Sequence, residues 1–290
     1  MNVGIIGALG RVNYFNRIAY IDSQNDSLKT AVWDGTNLIP VGSGLSISGC
    51  GTPAIASMPG TRDIAFIDSV LETLYRIRWD GKTWAIVGNG LSVSIPGTAT
   101  LSALGGSSTD VAFVGDTVDV IRMYRWDGAD WSMVGSELAI ADVSRPALAW
   151  FASSSFAYID AYNDSLITYS WSGSEWSTVG SGLSIATVDY PALAHMVGSN
   201  TDVAFIDDTN HALSMFRWGG SSWSLVGTPL SITGLNNPTL AALNSTDVVL
   251  WDKGTEDMQV YRFNGSTWSS VGNALAVTGG EDYNPALAVF

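Results

Sequence analysis

Short apolar runs alternate with clusters of Gly, Asp, Asn, Ser and Pro along the whole chain, and no stretch keeps a helical period of apolar positions. One stencil, in its full form Trp-Asp-Gly-x-x-Trp-x-x-Val-Gly, returns every 45 to 47 residues. Its six instances start at Trp33, Trp79, Trp126, Trp171, Trp218 and Phe263. The second aromatic position holds Leu38, Trp84, Trp131, Trp176, Trp223 and Trp268. Each period carries four strand signals. The first is a Pro-Ala-Leu-Ala run such as Pro146 to Ala149, with proline at the strand's first residue, where no ladder donor is needed. The second, such as Asp202 to Asp207, is unbroken apolar in its middle, as a strand covered on both faces requires. The third ends on the first aromatic, and an Asp-Gly turn leads into the fourth, a hairpin signal.

One such unit cannot bury its apolar faces alone, so neighbouring units must stack. Four antiparallel strands repeated six times predict an all-β protein, a six-bladed β-propeller of four-stranded antiparallel blades. The repeats fall at approximately 1–51, 52–97, 98–144, 145–189, 190–236 and 237–284, within a single domain over 1–290. Seven segments read as first strands, because Ile5 to Leu9 and Pro285 to Phe290 both fit the pattern. Either one end of the chain completes the other end's blade, or the spare strand pairs with a neighbouring molecule in a homo-oligomer. Ring closure is the expectation, since an open strand edge invites aggregation.

A hydrophobic content of 46% against 14% charged residues describes a packed globule. The net charge of −14 excludes nucleic acid and anionic membrane surfaces as partners, which both need basic patches. No apolar stretch is long enough to insert in a membrane as a helix. Cys50 is the single cysteine, so there is no intrachain disulfide and no cysteine-rich metal site. The first ten residues lack a basic segment before their apolar run, which predicts a cytoplasmic or virion-associated protein instead of a classically secreted one.

Catalytic patterns are absent from the sequence. Gly4-x-x-Gly7-x-x-Gly10 lacks the spacing and the following helix of a dinucleotide loop. The two histidines, His195 and His211, occupy unlike positions in different repeats. The sequence therefore predicts no enzyme, no cofactor and no metal site. The aspartates closing the second strands (Asp22, Asp68, Asp116, Asp160, Asp207, Asp252) read as turn caps, each turn offering too few oxygens for calcium. An arginine precedes the first aromatic in four repeats: Arg78, Arg125, Arg217 and Arg262. As structure it would lie over aromatics or pair with acidic groups; as function it would meet sugar hydroxyls or a carboxylate. Off-stencil aromatics add Trp150, Phe151, Tyr190, Trp251 and Tyr283. Tyr190 and Tyr283 sit in segments joining blades, where pocket rims form. The candidate ligand-binding set is Arg78, Arg125, Arg217, Arg262, Tyr190, Tyr283 and Trp251.

The Ala-rich first strand, aromatic second strand and Trp-Asp-Gly hairpin together resemble the six-bladed propeller lectins, especially the fungal fucose-binding lectins and their bacterial relatives. That resemblance implies sugars held between blades by an Arg from the second strand, a Glu or Gln from the third, and aromatics. Here the arginine position matches Ile18, Ile64, Val111, Phe156, Val203 and Val248, and the glutamate position matches Thr30, Arg76, Met123, Thr168, Met215 and Val260. A fucose site of that design is missing from all six repeats. Similar Trp-Asp-Gly repeats also look like modules of bacteriophage and microbial surface proteins. The sequence thus points first to a non-enzymatic, lectin-like binding module with glycan partners. The alternative is a structural or receptor-binding component of a virus particle or cell surface, acting through a protein partner.

Overall fold

The computed structural model describes residues 17–22, 26–47, 51–94, 97–105, 107–115, 119–140, 143–186, 188–277 and 286–290. These residues form six antiparallel sheets and contain no helix. The protein is a six-bladed β-propeller of four-stranded antiparallel blades. Blade 2 shows the plan: inner strand Ala54–Ser57, then Asp63–Asp68, Thr73–Trp79 and outer strand Trp84–Ser92. In blades 3 and 4 the outer strand is broken in two, as Trp131–Met133 with Leu138–Ala139 and Trp176–Thr178 with Leu183–Ser184.

Blade 1 takes its inner strand from the other end of the chain: Leu287–Val289 pairs antiparallel with Arg17–Asp22. The Phe290 amide donates to the Arg17 carbonyl at 2.9 Å, and the Phe290 ring packs 5.1 Å from Trp84 of blade 2. The C-terminus therefore closes the ring. The competing segment, Ile5 to Leu9, lies outside the described residues.

Six apolar clusters make up the core, each shared by two consecutive blades. This explains the unbroken apolar second strands. In Arg17–Asp22, Ile18 and Tyr20 pack toward blade 6 while Ala19 and Ile21 pack toward blade 2. Both faces of the second strands are interior.

The stencil builds these seams. Its two aromatics face each other across the third and outer strands, as Trp79–Trp84 at 5.2 Å and Trp171–Trp176 at 4.9 Å. The connection between them is a four-residue loop in which the Asp80 carboxylate accepts the amides of Lys82 and Thr83 at 2.7 and 2.8 Å. Ser172 and Asn264 supply the same oxygen in blades 4 and 6, while blade 5 has Gly219 there and closes its loop through the backbone alone. The Val-Gly pair completes the design. Gly88 has φ +67, and a Cβ there would stand 2.1 Å from the Ala129 carbonyl and 2.4 Å from the Trp126 ring of blade 3. Gly42, Gly135, Gly180, Gly227 and Gly272 meet the next blade in the same way. Each hairpin is thus seated on the glycine of the preceding blade, at a distance only glycine permits.

Candidate functional site

Three places deserve testing as sites: the seams between blades, the arginine row, and the cavity on the propeller axis. In the seams, Ile18, Ile64, Val111, Phe156, Val203 and Val248 are completely buried, one in each apolar cluster. The third-strand position is also committed to packing. Thr30 and Thr168 each accept the indole N–H of the next blade, from Trp84 and Trp223 at 2.9 Å. Arg76 is buried, donates to Asp63 at 2.6 Å and lies 5.4 Å from the Trp126 ring. Met123, Met215 and Val260 are apolar and buried; among the described residues the indole N–H groups of Trp176 and Trp268, in the blades that follow Met123 and Met215, find no acceptor, nor does that of Trp131, which follows Arg76.

Between blades 6 and 1 a cavity of about 400 Å³ is bounded by Tyr20, Asp22, Lys29, Thr30, Pro40 and Val277 among others. Lys29 reaches across from the third strand to pair with Asp22 on the second. Burial, and secondarily the charge of Asp22, pushes the Tyr20 phenol up to about 12. Tyr20 therefore remains a neutral hydroxyl over the physiological range. The cavity offers an ammonium, a carboxylate and the Tyr20 hydroxyl within a size usual for small-ligand sites.

The four arginines share one geometry. Arg78, Arg125, Arg217 and Arg262 each hold a cross-strand aspartate through two guanidinium nitrogens: Asp63, Asp110, Asp202 and Asp247, at 2.6–2.8 Å. Burial alone would raise these carboxyls, but hydrogen bonds from the arginines hold Asp63, Asp202 and Asp247 below the ordinary range. About half of each arginine side chain stays exposed, and each belongs to a separate blade, so the row is not gathered into one site. The aspartate partner, fifteen residues earlier, was readable from the sequence as the first residue of the second strand.

Of the second-strand aspartates, Asp68, Asp160 and Asp207 act as turn caps, Asp252 accepts the amides of Asn236 and Thr255, and Asp22 pairs with Lys29. Asp68 accepts the amides of Val70 and Leu71, and Asp207 those of Thr209 and Asn210. Asp160 accepts the amides of Tyr162 and Asn163 and the Tyr158 hydroxyl. Asp116 lies outside the described residues.

On the axis, the six inner strands enclose a cavity of about 880 Å³. Tyr190 lines it, with the Arg145 guanidinium stacked 3.9 Å from its ring centre and paired with Asp189. Trp150 also lines it, 4.0 Å from the His195 ring, whose Nε2 meets the Ser199 carbonyl. The sequence reading missed Arg145 and His195 because neither belongs to the stencil. Two expectations need correction. Trp251 is only 2% exposed, packed in the seam against blade 1, so its ring has no face to offer a ligand. Phe151 is likewise buried, 5.0 Å from Trp223. A bulge between Trp150 and Ala152 accounts for both positions: the extra residue turns Phe151 into the seam and leaves Trp150 beside the axis. Tyr283 lies outside the described residues.

No protein-family model matches the chain, and no curated protein matches it in sequence. Solved structures do. A mutant of the Aleuria aurantia lectin in complex with alpha-methyl-L-fucoside aligns with TM-score 0.65 at 16% identity, over 91% of this chain and 92% of the lectin. The SapL1 lectin in complex with alpha methyl fucoside gives 0.63 at 18% identity, over 92% and 99%. A chain of the nidogen/laminin complex gives 0.65 at 10% identity, over 94% and 98%. By fold, this protein is a six-bladed β-propeller similar to the fungal fucose-binding lectins.

Proposed function

We propose that the chain is a non-enzymatic carbohydrate-recognition module that works at its blade seams. The observation carrying this reading is the cavity between blades 6 and 1, where Lys29, Asp22 and Tyr20 present donors and acceptors on one wall. Glycan partners fit such a wall, since each hydroxyl needs both a donor and an acceptor. The fold likeness to lectins supports the same reading. The seams differ in chemistry, so one strong site is expected instead of six equal ones. The half-exposed fork of Arg125 or Arg217 is a candidate secondary contact. A glycan array at low and high salt, followed by calorimetry on Lys29→Ala and Asp22→Asn, tests the reading. Both substitutions should weaken binding at least tenfold without unfolding the protein, and silence across all sugars would sink the proposal. The fold also occurs in the nidogen/laminin complex, which favours recognition of a protein partner on a virus particle or cell surface as the second reading.

A further inference from the structure

Each inner strand is hydrogen-bonded on one edge only, to the second strand of its blade. The other edge borders the axial cavity and turns backbone N–H and C=O groups toward it, although the Trp150 amide there is taken by the Ser102 hydroxyl at 3.1 Å. Alanine, serine and threonine dominate the side chains between them. The sixfold pattern breaks at both ends of this cavity, in the same two blades. At the first position of the inner segment, Arg145 and Tyr190 stand where blades 2, 3 and 6 have the smaller Thr52, Thr98 and Asn237. At the last position, Trp150 and His195 stand where other blades have Ser57, Ala103, Ala242 and Val289. Five residues of strand separate the two positions, about 16 Å.

The replacements come as contacts between blades 4 and 5. The Arg145 guanidinium lies over the Tyr190 ring at one mouth, and Trp150 packs against His195 at a tilt of 35° at the other. Arg145 and Tyr190 precede prolines yet hold φ +47 and +42, as does Asn237 at the equivalent place in blade 6 with φ +51, so this backbone conformation belongs to the repeat.

The charges select the ligand. Asp189 neutralises Arg145, and Asp208, 3.5 Å from the Asn237 amide, adds a further negative group behind this mouth. With a chain charge of −14 as well, anions are disfavoured. Burial lowers the His195 pKa, so the imidazole is neutral at physiological pH. A flat hydrocarbon would leave these strand edges without hydrogen bonds, whereas a hydroxyl-rich molecule would satisfy them.

We propose that the axial cavity is a second ligand site, taking one uncharged saccharide of one or two rings between the Arg145–Tyr190 and Trp150–His195 pairs. This deepens the carbohydrate reading and rests on it, but uses none of the seam residues. Trp150 is the only tryptophan bordering the cavity, which supplies a direct probe. The full chain labelled with 5-fluorotryptophan would be titrated with methyl α-L-fucoside, lactose and maltose and followed by ¹⁹F NMR, with Trp150→Phe assigning the resonance. The expected result is a saturable shift of the Trp150 resonance that survives in Lys29→Ala and whose affinity drops at least tenfold in Tyr190→Ala. Should Tyr190→Ala fail to fold, Arg145→Gln takes its place. Shifts confined to Trp33 or Trp251, which pack in the seam between blades 6 and 1, would overturn the axial site and leave the seam reading standing. Loss of the Trp150 shift in Lys29→Ala would overturn the axial site too. No shift of any tryptophan with any sugar would overturn both.

Discussion

The glycine that seats each hairpin can be tested by comparing two glycine-to-alanine substitutions with matched backbones. Gly88 has φ +67 and Gly60 has φ +73, so alanine incurs the same left-handed penalty at both, about 1–2 kcal/mol. Their surroundings differ. A Cβ at Gly60 meets nothing within 4 Å, whereas at Gly88 it meets the Ala129 carbonyl at 2.1 Å and Trp126 at 2.4 Å. Neither obstacle is the loose end of a flexible side chain, so the blade 2–3 seam must open. Overpacking of this kind adds about 1–3 kcal/mol. Gly88→Ala should therefore cost about 2–5 kcal/mol, and Gly60→Ala about 1–2 kcal/mol. For a chain of this size each kcal/mol corresponds to about 2–4 °C in the melting midpoint. Scanning fluorimetry should place Gly60→Ala a few degrees below the parent and Gly88→Ala roughly 5–15 °C below it. Equal midpoints for the two variants would refute the seating argument, since strain alone would then account for both.

Thr168→Val leaves the buried Trp223 indole N–H without its acceptor and should lower stability by about 1–3 kcal/mol in urea titrations. Met123→Leu, at the equivalent position with no hydrogen bond to lose, should cost less than about 1.5 kcal/mol. Phe290→Ala removes the ring that joins the closing strand to Trp84. It should cost about 3 kcal/mol, the low end for a buried phenylalanine because a terminal strand can relax, as judged from the shift in urea midpoint. Acidification should act in two stages. The folded-state pKa of His195 is lowered, so its contribution is complete above its unfolded value near ~6.5 and is lost as pH falls below it. The carboxyls of Asp63, Asp202 and Asp247 are also lowered, so theirs is complete above about 3.9 and is lost as pH falls further. Urea midpoints measured from pH 8 to pH 3 should show both declines, and His195→Asn should remove only the first.

The architecture was legible because it is written six times. The period, the Pro-Ala start of the inner strands and the two-faced apolar second strands each imply stacked blades, since no single unit can bury both its faces. The aspartate caps followed from turn chemistry in the same way. Roles set by side-chain direction were not legible. Trp251 and Phe151 break the repeat just as Tyr190 does, yet they point into seams, and only a bulge separates the fate of Phe151 from that of Trp150. Likewise, the arginine row favoured a structural reading without naming a partner until its cross-strand aspartates were in place.

The sequence by itself determined the blade count, the strand order within each blade and the composition of the seams, because these depend on local pattern repeated along the chain. Tertiary structure decided which terminus closes the ring, why every Val-Gly glycine must remain glycine, and which unlike residues meet. The Arg145–Tyr190 and Trp150–His195 pairs join residues 45 apart that become neighbours only when blade 4 stands against blade 5 on the axis. Spacing along the chain records the repeat, but contact between repeats depends on the twist and packing that curve six sheets into a ring.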